Sequence, residues 1–495
     1  MQLTDPPGGR QVLSGVRSWC LGIAIVTACS WVRCLATGSP KVDENYPSLA
    51  AGTVIFLGLV AGWTSLVWGW QRLLAHPPPP AVARRLAFVG VLLALPMLPM
   101  LSNDVYGLLL YGSVAAHGHD VFTTGEWLPG SAFFAWVGER WGAQVFIYGP
   151  TTLVAALPAG VAGPNAWLAL FVLRFTWLVP LVAAMEISFR RMPDRPLFHA
   201  MVWLNPLFVV QGLGQLHADV LGLAALATGI ALQVRGRRWG GWCLGAIAVF
   251  CKYTFLFTTP WFWLFGAEGT RQRAARVFAM GAVIVGVGVL LYAPFWSGPA
   301  TLTTPLRTLD SSLPGGSITE VAGHLVHVLR GGAVPPATLP PRVAVEMERA
   351  AKGPTWLVVS LILRFVFAGV ALRQLQGMLR RRSRDDELAL GTGTLVVAGL
   401  TLASQRFHSW YLLTAAPFFG FRCEGPWRLW WVLAVGLSVA TEFIHVLPRS
   451  AALLPIWSVL TNGGVVAVFL WSFRERFLRL PPSAEPLAEA PVAAP

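Results

Sequence analysis

Charged residues are scarce in this chain, and acidic ones are scarcest. Among 495 residues, 23 are Asp or Glu and 37 are Lys or Arg, so charged side chains make up 12% of the sequence against 55% hydrophobic ones. The mean hydropathy is +0.60. Soluble domains carry about 25% charged residues. The composition therefore excludes an ordinary soluble globular protein.

Cysteine is also rare, and its spacing fits neither a redox site nor a thiolate metal site. The six cysteines lie in or beside apolar stretches, and none belongs to a Cys-x-x-Cys pair. We interpret them as small apolar packing residues. The sequence contains no His-x-x-x-His or Asp-x-Asp pattern. We therefore expect no cofactor, and a divalent metal stays an alternative that no motif supports.

The sequence is instead rich in long apolar runs. These predict an all-α, polytopic bundle of about 12–14 transmembrane spans. We expect one membrane unit over residues 1–475, followed by a disordered cytoplasmic tail over 476–495. The predicted spans lie at about 18–37, 49–72, 84–102, 165–188, 197–214, 217–234, 276–297, 354–375, 388–404, 409–421, 428–446 and 451–473. The run 239–266 is predicted to form two short broken helices that enter and return, with Lys252 at the bend.

The net charge of +14 indicates orientation rather than nucleic-acid binding, because most basic residues fall in short loops. Placing these loops in the cytoplasm leaves two long outer loops, at about 103–164 and 298–353. Within the first, Val105–Ala116 and residues 150–163 are predicted to lie as helices at the outer interface. We expect a multi-pass protein of a bacterial cytoplasmic membrane, in contact with its lipids and with its site facing outward.

Polar residues gather on the outer side of this predicted topology. An ionisable residue at membrane depth is a candidate for function, because its burial there is costly. The candidates are Asp104, Tyr106, Asp120, Tyr148, His217, Asp219, Lys252, Arg406 and His408.

Asp104 is the leading candidate, because it directly follows an apolar run and opens the first outer loop. A sugar hydroxyl is a very weak acid, and a carboxylate that accepts its proton during glycosyl transfer is an economical catalyst. The alternative is helix capping, since Ser102, Asn103 and Asp104 all suit the start of a helix at Val105. Tyr106, Asp120 and Tyr148 are interpreted as substrate-binding residues.

His217 and Asp219 share a turn between two predicted spans. They are predicted to bind sugar or to support the base, with helix capping by Asp219 as the alternative.

Lys252, Arg406 and His408 are predicted to bind a lipid phosphate, because cations stabilise the charge that develops on a phosphate leaving group. The alternatives are a lysine that reaches the membrane interface and a polar loop without a role.

Four segments of this kind resemble a known superfamily. They are Asn103-Asp104-Val105-Tyr106, Tyr148-Gly149-Pro150, His217-Ala218-Asp219-Val220-Leu221, and Lys252-Tyr253 with His408-Ser409-Trp410-Tyr411-Leu412-Leu413. Together they are similar to the GT-C glycosyltransferases, and most of all to the polyprenyl-phosphomannose-dependent α-mannosyltransferases that extend actinobacterial lipoglycan mannan. This chain has Asp120-Val121-Phe122 where those enzymes have Pro-Tyr.

The resemblance implies an integral membrane hexosyltransferase that inverts the anomeric carbon, with Asp104 as base and with His217 and Asp219 near the sugars. Its partners would be a polyprenyl-phosphate sugar, mannose by resemblance, and a glycan or glycolipid acceptor. The alternatives are a transporter or flippase for a lipid-linked sugar, an O-antigen-type polymerase or ligase, and a membrane scaffold without catalysis. The scaffold predicts that Asp104, His217 and Lys252 do not converge on a cavity.

Overall fold

A computed structural model describes residues 9–38, 48–137, 145–303, 341–380, 385–403, 407–423 and 425–443, together with Gly464 and Ala467 singly. All regular structure in these ranges is helical, without strands. The predicted all-α class is confirmed for this part of the chain. Arg406, most of the loop predicted at 298–353, the span predicted at 451–473 and the tail predicted at 476–495 lie outside the described residues.

The helices fall into long apolar rods and short pieces between them. In chain order they are α1 (Gly9–Thr37), α2 (Leu49–Ala75), α3 (Pro80–Ala94), α4 (Asp104–Ala116), α5 (Phe134–Val137), α6 (Pro150–Gly160), α7 (Ala166–Arg191), α8 (Pro196–Val202), α9 (Asp219–Val234), α10 (Arg238–Cys251), α11 (Thr259–Leu264), α12 (Gly269–Tyr292), α13 (Pro341–Arg380), α14 (Asp385–Ala398), α15 (Ala416–Phe419) and α16 (Pro426–Phe443). Short 3-10 helices cover Leu128–Gly130, Tyr253–Thr258, Ala293–Phe295 and Ser409–Thr414, and π-helical turns cover Phe208–Gly214 and Gly399–Ala403.

Among the described residues, six helices are long and apolar enough to cross a membrane, or seven if the bent pair Phe208–Gly214 and α9 is one span. This number is smaller than the 12–14 spans predicted from the sequence. Part of the difference arises because the span predicted at 451–473 falls almost entirely outside the described residues. Another part arises where proline interrupts an apolar run. Residues 84–102 contain Pro96 and Pro99, and α3 already ends at Ala94. Residues 197–214 are likewise split around Pro206, because proline cannot continue a helix without losing a hydrogen bond.

Small residues bring α1 and α2 into close contact. A Cβ atom on Gly22 would lie 2.5 Å from the backbone nitrogen of Leu66, and one on Gly69 would overlap the backbone of Trp19. Close backbone approach of this kind is typical of helix pairs in membranes. The indole of Trp19 then donates to the carbonyl of Leu204 at 2.9 Å, so that the pair is anchored to the centre of the molecule.

The chain between α3 and α4 is irregular, and side chains from other elements, among them Arg174 and Gln215, form hydrogen bonds with its backbone. Arg174 of α7 donates to the carbonyl oxygens of Leu95 and Met97. The amide oxygen of Gln215 accepts from the backbone nitrogens of Met100 (2.8 Å) and Leu101 (2.9 Å). Backbone polar groups buried away from water need partners. These contacts therefore fix the position at which α4 begins.

The two predicted interfacial helices are present as helices, but α4 is not amphipathic. Its residues from Asp104 through Val114 are all buried, because α6 and α7 pack against it. The prediction of a surface helix over Val105–Ala116 is therefore wrong. Apolar residues on every side of α4 indicated a buried helix, as they do elsewhere in proteins.

Candidate active site

The carboxylate of Asp104 lies at the centre of a buried polar cluster. The hydroxyl of Tyr148 donates to Oδ2 at 2.8 Å, and Nδ1 of His217 lies 3.1 Å from the same oxygen. Among the described residues, hydrogen bonds reach only Oδ2. Asp104 is 8% exposed and His217 is fully buried. One oxygen of the carboxylate is thus held, and Oδ1 remains able to accept a proton.

Capping does not explain Asp104. The N-cap of α4 is Asn103, which makes no side-chain cap bond, and the hydroxyl of Ser102 accepts from the backbone nitrogen of Asp104 at 3.2 Å. The carboxylate therefore has no capping role at this helix start. Its place in the first turn still favours a negative charge, because of the helix dipole.

Asp104 is held in its ionised form. Burial by itself raises the pKa of a carboxyl group, because it disfavours the charge. Here the hydrogen bond and positive charge of His217, the charge of His408 and the hydrogen bond from Tyr148 outweigh burial and bring the pKa of Asp104 well below its usual range. Burial and the Asp104 charge raise the pKa of Tyr148 far above its ordinary value, so Tyr148 stays a hydrogen-bond donor.

His217 is fixed by a strained turn and by an aromatic ring. Leu216, immediately before it, has a φ of 56°, which is unfavourable for a branched side chain. The indole of Trp410 stacks on the His217 ring with centroids 3.5 Å apart and an interplanar angle of 12°. The imidazole therefore has little freedom to rotate away from Asp104.

Gly149, which follows Tyr148, lets the backbone of this turn lie against the backbone of Phe250. This close approach helps to place the Tyr148 hydroxyl beside Asp104. A Cβ atom on Gly149 would overlap the carbonyl oxygen of Phe250. The backbone nitrogen of Gly149 and the hydroxyl of Thr152 both donate to the carbonyl of Cys251, at 3.1 and 2.9 Å. The turn before α6 is thereby attached to the end of α10, one residue before Lys252.

Lys252 and Asp219 form a buried ion pair beside Asp104. Lys252 has an extended backbone between α10 and the 3-10 helix Tyr253–Thr258, so it lies at the break predicted within 239–266. Its Nζ lies 2.7 Å from Oδ2 of Asp219 and 3.5 Å from the ring centroid of Tyr411. The N-cap of α9 is Ala218. The Asp219 carboxylate thus pairs with Lys252 instead of capping the helix.

His408 joins the cluster through Trp410. The two rings stack with centroids 4.5 Å apart and an angle of 4°, so that Trp410 lies against both His408 and His217. Nδ1 of His408 is 3.9 Å from a carboxylate oxygen of Glu442. The His408 side chain is partly exposed, and it contributes positive potential at Asp104.

Two candidates from the sequence lie apart from this cluster. Tyr106 is buried against Trp136, with ring centroids 5.8 Å apart. The Asp120 carboxylate holds its own turn by accepting from the backbone nitrogens of Phe122 (2.8 Å) and Thr123 (3.2 Å). Neither residue contacts Asp104 in the described part of the chain, and both side chains have local structural roles.

Other contributors were not selected from the sequence. Tyr411, beneath Lys252, and Gln215, which holds the segment before Asp104, fell within runs interpreted as ordinary spans and turns. A polar Gln next to His217 was the available signal for Gln215. Among the described residues, no group of three or more His, Cys, Asp or Glu side chains could hold a metal ion.

Buried polar atoms without partners surround the cluster. Nε2 of His217, Oδ1 of Asp219 and Nε1 of Trp410 make no hydrogen bond within the described ranges. Buried polar groups are normally satisfied. These three atoms therefore have hydrogen-bonding capacity that the described residues leave unused.

The sequence matches that of known proteins over the range that contains this cluster. The sequence profile described as "Alpha-(1→6)-mannopyranosyltransferase, N-terminal domain" matches residues 16–268, just over half of the 495 residues. This range contains Asp104, Tyr148, His217, Asp219 and Lys252.

Two relatives carry the same name. Alpha-(1→6)-mannopyranosyltransferase A of Mycobacterium tuberculosis is 26% identical over 451 residues, which cover 84% of this chain and 81% of that protein. Alpha-(1→6)-mannopyranosyltransferase A of Corynebacterium glutamicum is 25% identical over 226 residues, which cover 41% of this chain and 46% of that protein. The predicted resemblance is confirmed, and the chain belongs to the α-(1→6)-mannopyranosyltransferase family of membrane-embedded, GT-C-type hexosyltransferases.

Proposed function

We propose that this protein transfers mannose from a polyprenyl-phosphate donor to a hydroxyl group of a mannan or mannoside acceptor, with inversion, on the outer face of a bacterial cytoplasmic membrane. The observation that carries the proposal is the Asp104 carboxylate. It is buried and ionised, has no capping role, and is held through one oxygen by Tyr148 and His217. Family membership supports the sugar and the α-(1→6) linkage.

The proposed transfer needs one base, Asp104, to accept the proton of the acceptor hydroxyl. The acceptor oxygen attacks the anomeric carbon while its proton passes to Oδ1 of Asp104. The bond from the anomeric carbon to the phosphate oxygen breaks, and its electron pair leaves with polyprenyl phosphate. An α-linked product formed by inversion requires a β-linked mannosyl phosphate donor. General-base help of this kind accelerates a reaction by roughly 10²- to 10⁴-fold.

Lys252 is proposed to hold the donor phosphate, although it is already paired. An ammonium group has three donors, and Asp219 takes one of them. Tyr411 lies beneath the same group. With its charge largely balanced in the absence of substrate, Lys252 avoids the cost of an isolated buried cation and keeps two donors for phosphate oxygens. His408 and Arg406 remain proposed as further cations for the same group.

The His217, Asp219 and Trp410 atoms without partners are proposed to bind sugar hydroxyl groups. A site that hydrogen-bonds particular hydroxyl groups discriminates strongly against sugars that lack them. Tyr106 and Asp120 have local contacts of their own, so the proposal assigns the sugar to the residues around Asp104.

The test uses the purified full-length protein in detergent, without any ion gradient. It is given a β-mannosyl polyprenyl phosphate and an α-mannoside acceptor, and the product linkage is determined by nuclear magnetic resonance. We expect one new α-(1→6) linkage and release of polyprenyl phosphate in equal amount. A parallel reaction receives an oligosaccharyl diphosphate lipid, the donor class of a polymerase.

Three results would contradict the proposal. A β-linked product would exclude inversion of a β-linked donor. Transfer from the diphosphate lipid alone would identify a polymerase or ligase. Absence of product, combined with gradient-dependent movement of the donor across liposomes, would identify a transporter.

A further inference from the structure

A second polar region lies at the opposite end of α4 from Asp104. It is a cavity of about 420 Å³. Its walls are the last turns of α4, the segment 127–133 and the chain that follows α6 at 160–164. This cavity is open to the surface, and none of its lining residues belongs to the cluster around Asp104.

One wall of the cavity carries an exposed aromatic pair. The rings of His119 and Trp127 stack with centroids 4.1 Å apart and an angle of 10°. Trp127 is 46% exposed, and both residues line the cavity. A large indole that is held flat and left exposed is typical of a binding surface, because aromatic rings contribute much contact area at small entropic cost.

Polar side chains lie beside the stacked rings of His119 and Trp127, which form an aromatic platform. Nδ1 of His117 lies 2.7 Å from the carbonyl oxygen of Ser113, which directs Nε2 of the same ring away from α4. His117 is exposed, and the Ser131 hydroxyl lines the same space. An aromatic face with neighbouring hydrogen-bonding side chains fits a hexose, which presents one apolar face of C–H groups and a rim of hydroxyl groups.

The floor of the cavity is rigid. α4 and α6 touch through Gly112 and Gly160, where a Cβ atom on either glycine would meet the backbone of the facing helix. Gly163, which follows α6, has a φ of 95°, a conformation that glycine adopts readily. The cavity therefore exists before a ligand binds, and binding requires little ordering of the protein.

The distance between the two regions is set by α4. At about 1.5 Å per residue, the cavity residues Ser113 and His117 lie roughly 14 and 20 Å along the helix axis from Asp104. This separation is longer than one sugar. A chain of several linked hexoses could reach both places at once.

We propose that the cavity beside Trp127 is a distal subsite for the acceptor glycan, which holds hexose units several residues away from the hydroxyl group that reacts at Asp104. The inference rests on the proposed transfer to a mannan or mannoside acceptor. It makes the enzyme selective for acceptors already several sugars long, because only these gain the second contact.

Gly130 offers a clean way to close the subsite. It lines the cavity, and a Cβ atom added there meets nothing within 4 Å. Gly130→Phe should therefore fill the cavity with little strain elsewhere, and Gly130→Ala is the matched control. Trp127→Ala removes the platform, and its control is Trp239→Ala, at an exposed tryptophan in the first turn of α10.

The measurement is kcat/KM with a synthetic series of α-(1→6)-linked mannosides, from a monosaccharide glycoside to a long oligosaccharide. The wild-type protein should prefer long acceptors. Gly130→Phe and Trp127→Ala should raise KM for long acceptors about tenfold, the loss typical of one removed aromatic contact, and leave the shortest acceptor and kcat unchanged. Gly130→Ala and Trp239→Ala should match wild type.

The outcomes separate this inference from the proposed function. If wild type transfers mannose and both test variants keep the full preference for long acceptors, the subsite is wrong while the proposed function stands. If the variants lose activity equally with all acceptors, the region has only a structural role and the subsite is again wrong. If wild type transfers no mannose to any acceptor, the proposed function itself fails.

Discussion

The polar groups near the two ends of α4 differ in burial and in which parts of the chain supply them. At the N-terminal end, Asp104, His217 and Asp219 are buried, and each contacts a polar side chain from a distant part of the chain. At the C-terminal end, His119 and Trp127 are exposed and come from one short loop. The first arrangement fixes individual atoms, as bond-making requires. The second presents a surface, which suits holding a flexible chain.

The largest effect on activity is expected from a substitution at Asp104, in the buried group of residues. Asp104→Asn keeps the shape of the side chain but removes the proton acceptor, so kcat should fall by roughly 10²- to 10⁴-fold while KM for the donor changes little. The measurement is initial rates of mannose transfer at saturating donor. The control is Asp194→Asn, at an exposed aspartate after α7. Near wild-type turnover by Asp104→Asn would remove Asp104 from the mechanism.

The buried ion pair should give the next largest effect. Lys252→Met leaves the Asp219 carboxylate buried without its partner, and breaking such a pair costs about 3–5 kcal/mol of stability. Thermal unfolding should therefore occur at a clearly lower temperature. The double variant Lys252→Met/Asp219→Asn removes both charges and should recover most of that stability.

Measurements of activity distinguish a structural role of the Lys252–Asp219 pair from the proposed binding of phosphate by Lys252. The double variant should unfold near the wild-type temperature and still transfer mannose poorly, because it lacks the donors proposed for the phosphate. Full recovery of both stability and turnover in the double variant would show that Lys252 has only a structural role.

His217 is expected to act through Asp104. His217→Ala removes a hydrogen bond to a charged group, worth about 1.5–3 kcal/mol, so kcat should fall roughly 10- to 100-fold. His217→Gln retains an amide that can donate to Oδ2 and should recover part of the loss. If kcat is unchanged in both variants and only KM for the sugar rises, His217 binds substrate and does not position the base.

Tyr148 should give the smallest effect, seen mainly as a pH shift. The Tyr148 hydroxyl favours the ionised form of Asp104, so in Tyr148→Phe the pKa of Asp104 rises. Since the reaction needs the ionised carboxylate, the acid limb of kcat/KM should move to higher pH, with little change at neutral pH. An acid limb unchanged in pH would show that Tyr148 does not act on Asp104.

The residues of the candidate site were easier to select from the sequence than the bounds of the helices around them were to predict. Asp104, His217 and Lys252 could be found because ionisable residues are costly in a membrane and stand out among apolar ones. Asp104 contacts His217, and Lys252 pairs with Asp219 two residues further along the chain, an arrangement that a scaffold does not require. Pairing was not predictable, because the Asp104 and His217 side chains are 113 positions apart in the chain.

Errors arose where local pattern and tertiary packing disagree. Asp120 resembled Asp104, as an acid in the same predicted loop, yet its carboxylate accepts hydrogen bonds from Phe122 and Thr123. Pro96 and Pro206 divided apolar runs that have the length of a span. The hydrophobicity of these runs was interpreted correctly, and backbone hydrogen bonds decided the outcome at the prolines as they did at Asp120.

The contact of Arg174 with the segment after α3 has a consequence for biogenesis. The carbonyl groups of Leu95 and Met97 emerge from the ribosome 77 to 79 residues before the arginine that satisfies them. Until α7 is made, these groups have no partner from Arg174, and exposure to lipid would be costly. The segment after α3 should therefore remain with the insertion machinery, or in water, until α7 arrives. A cysteine introduced into this segment, which has none of its own, should react with a water-soluble thiol reagent in a truncation that ends before Arg174.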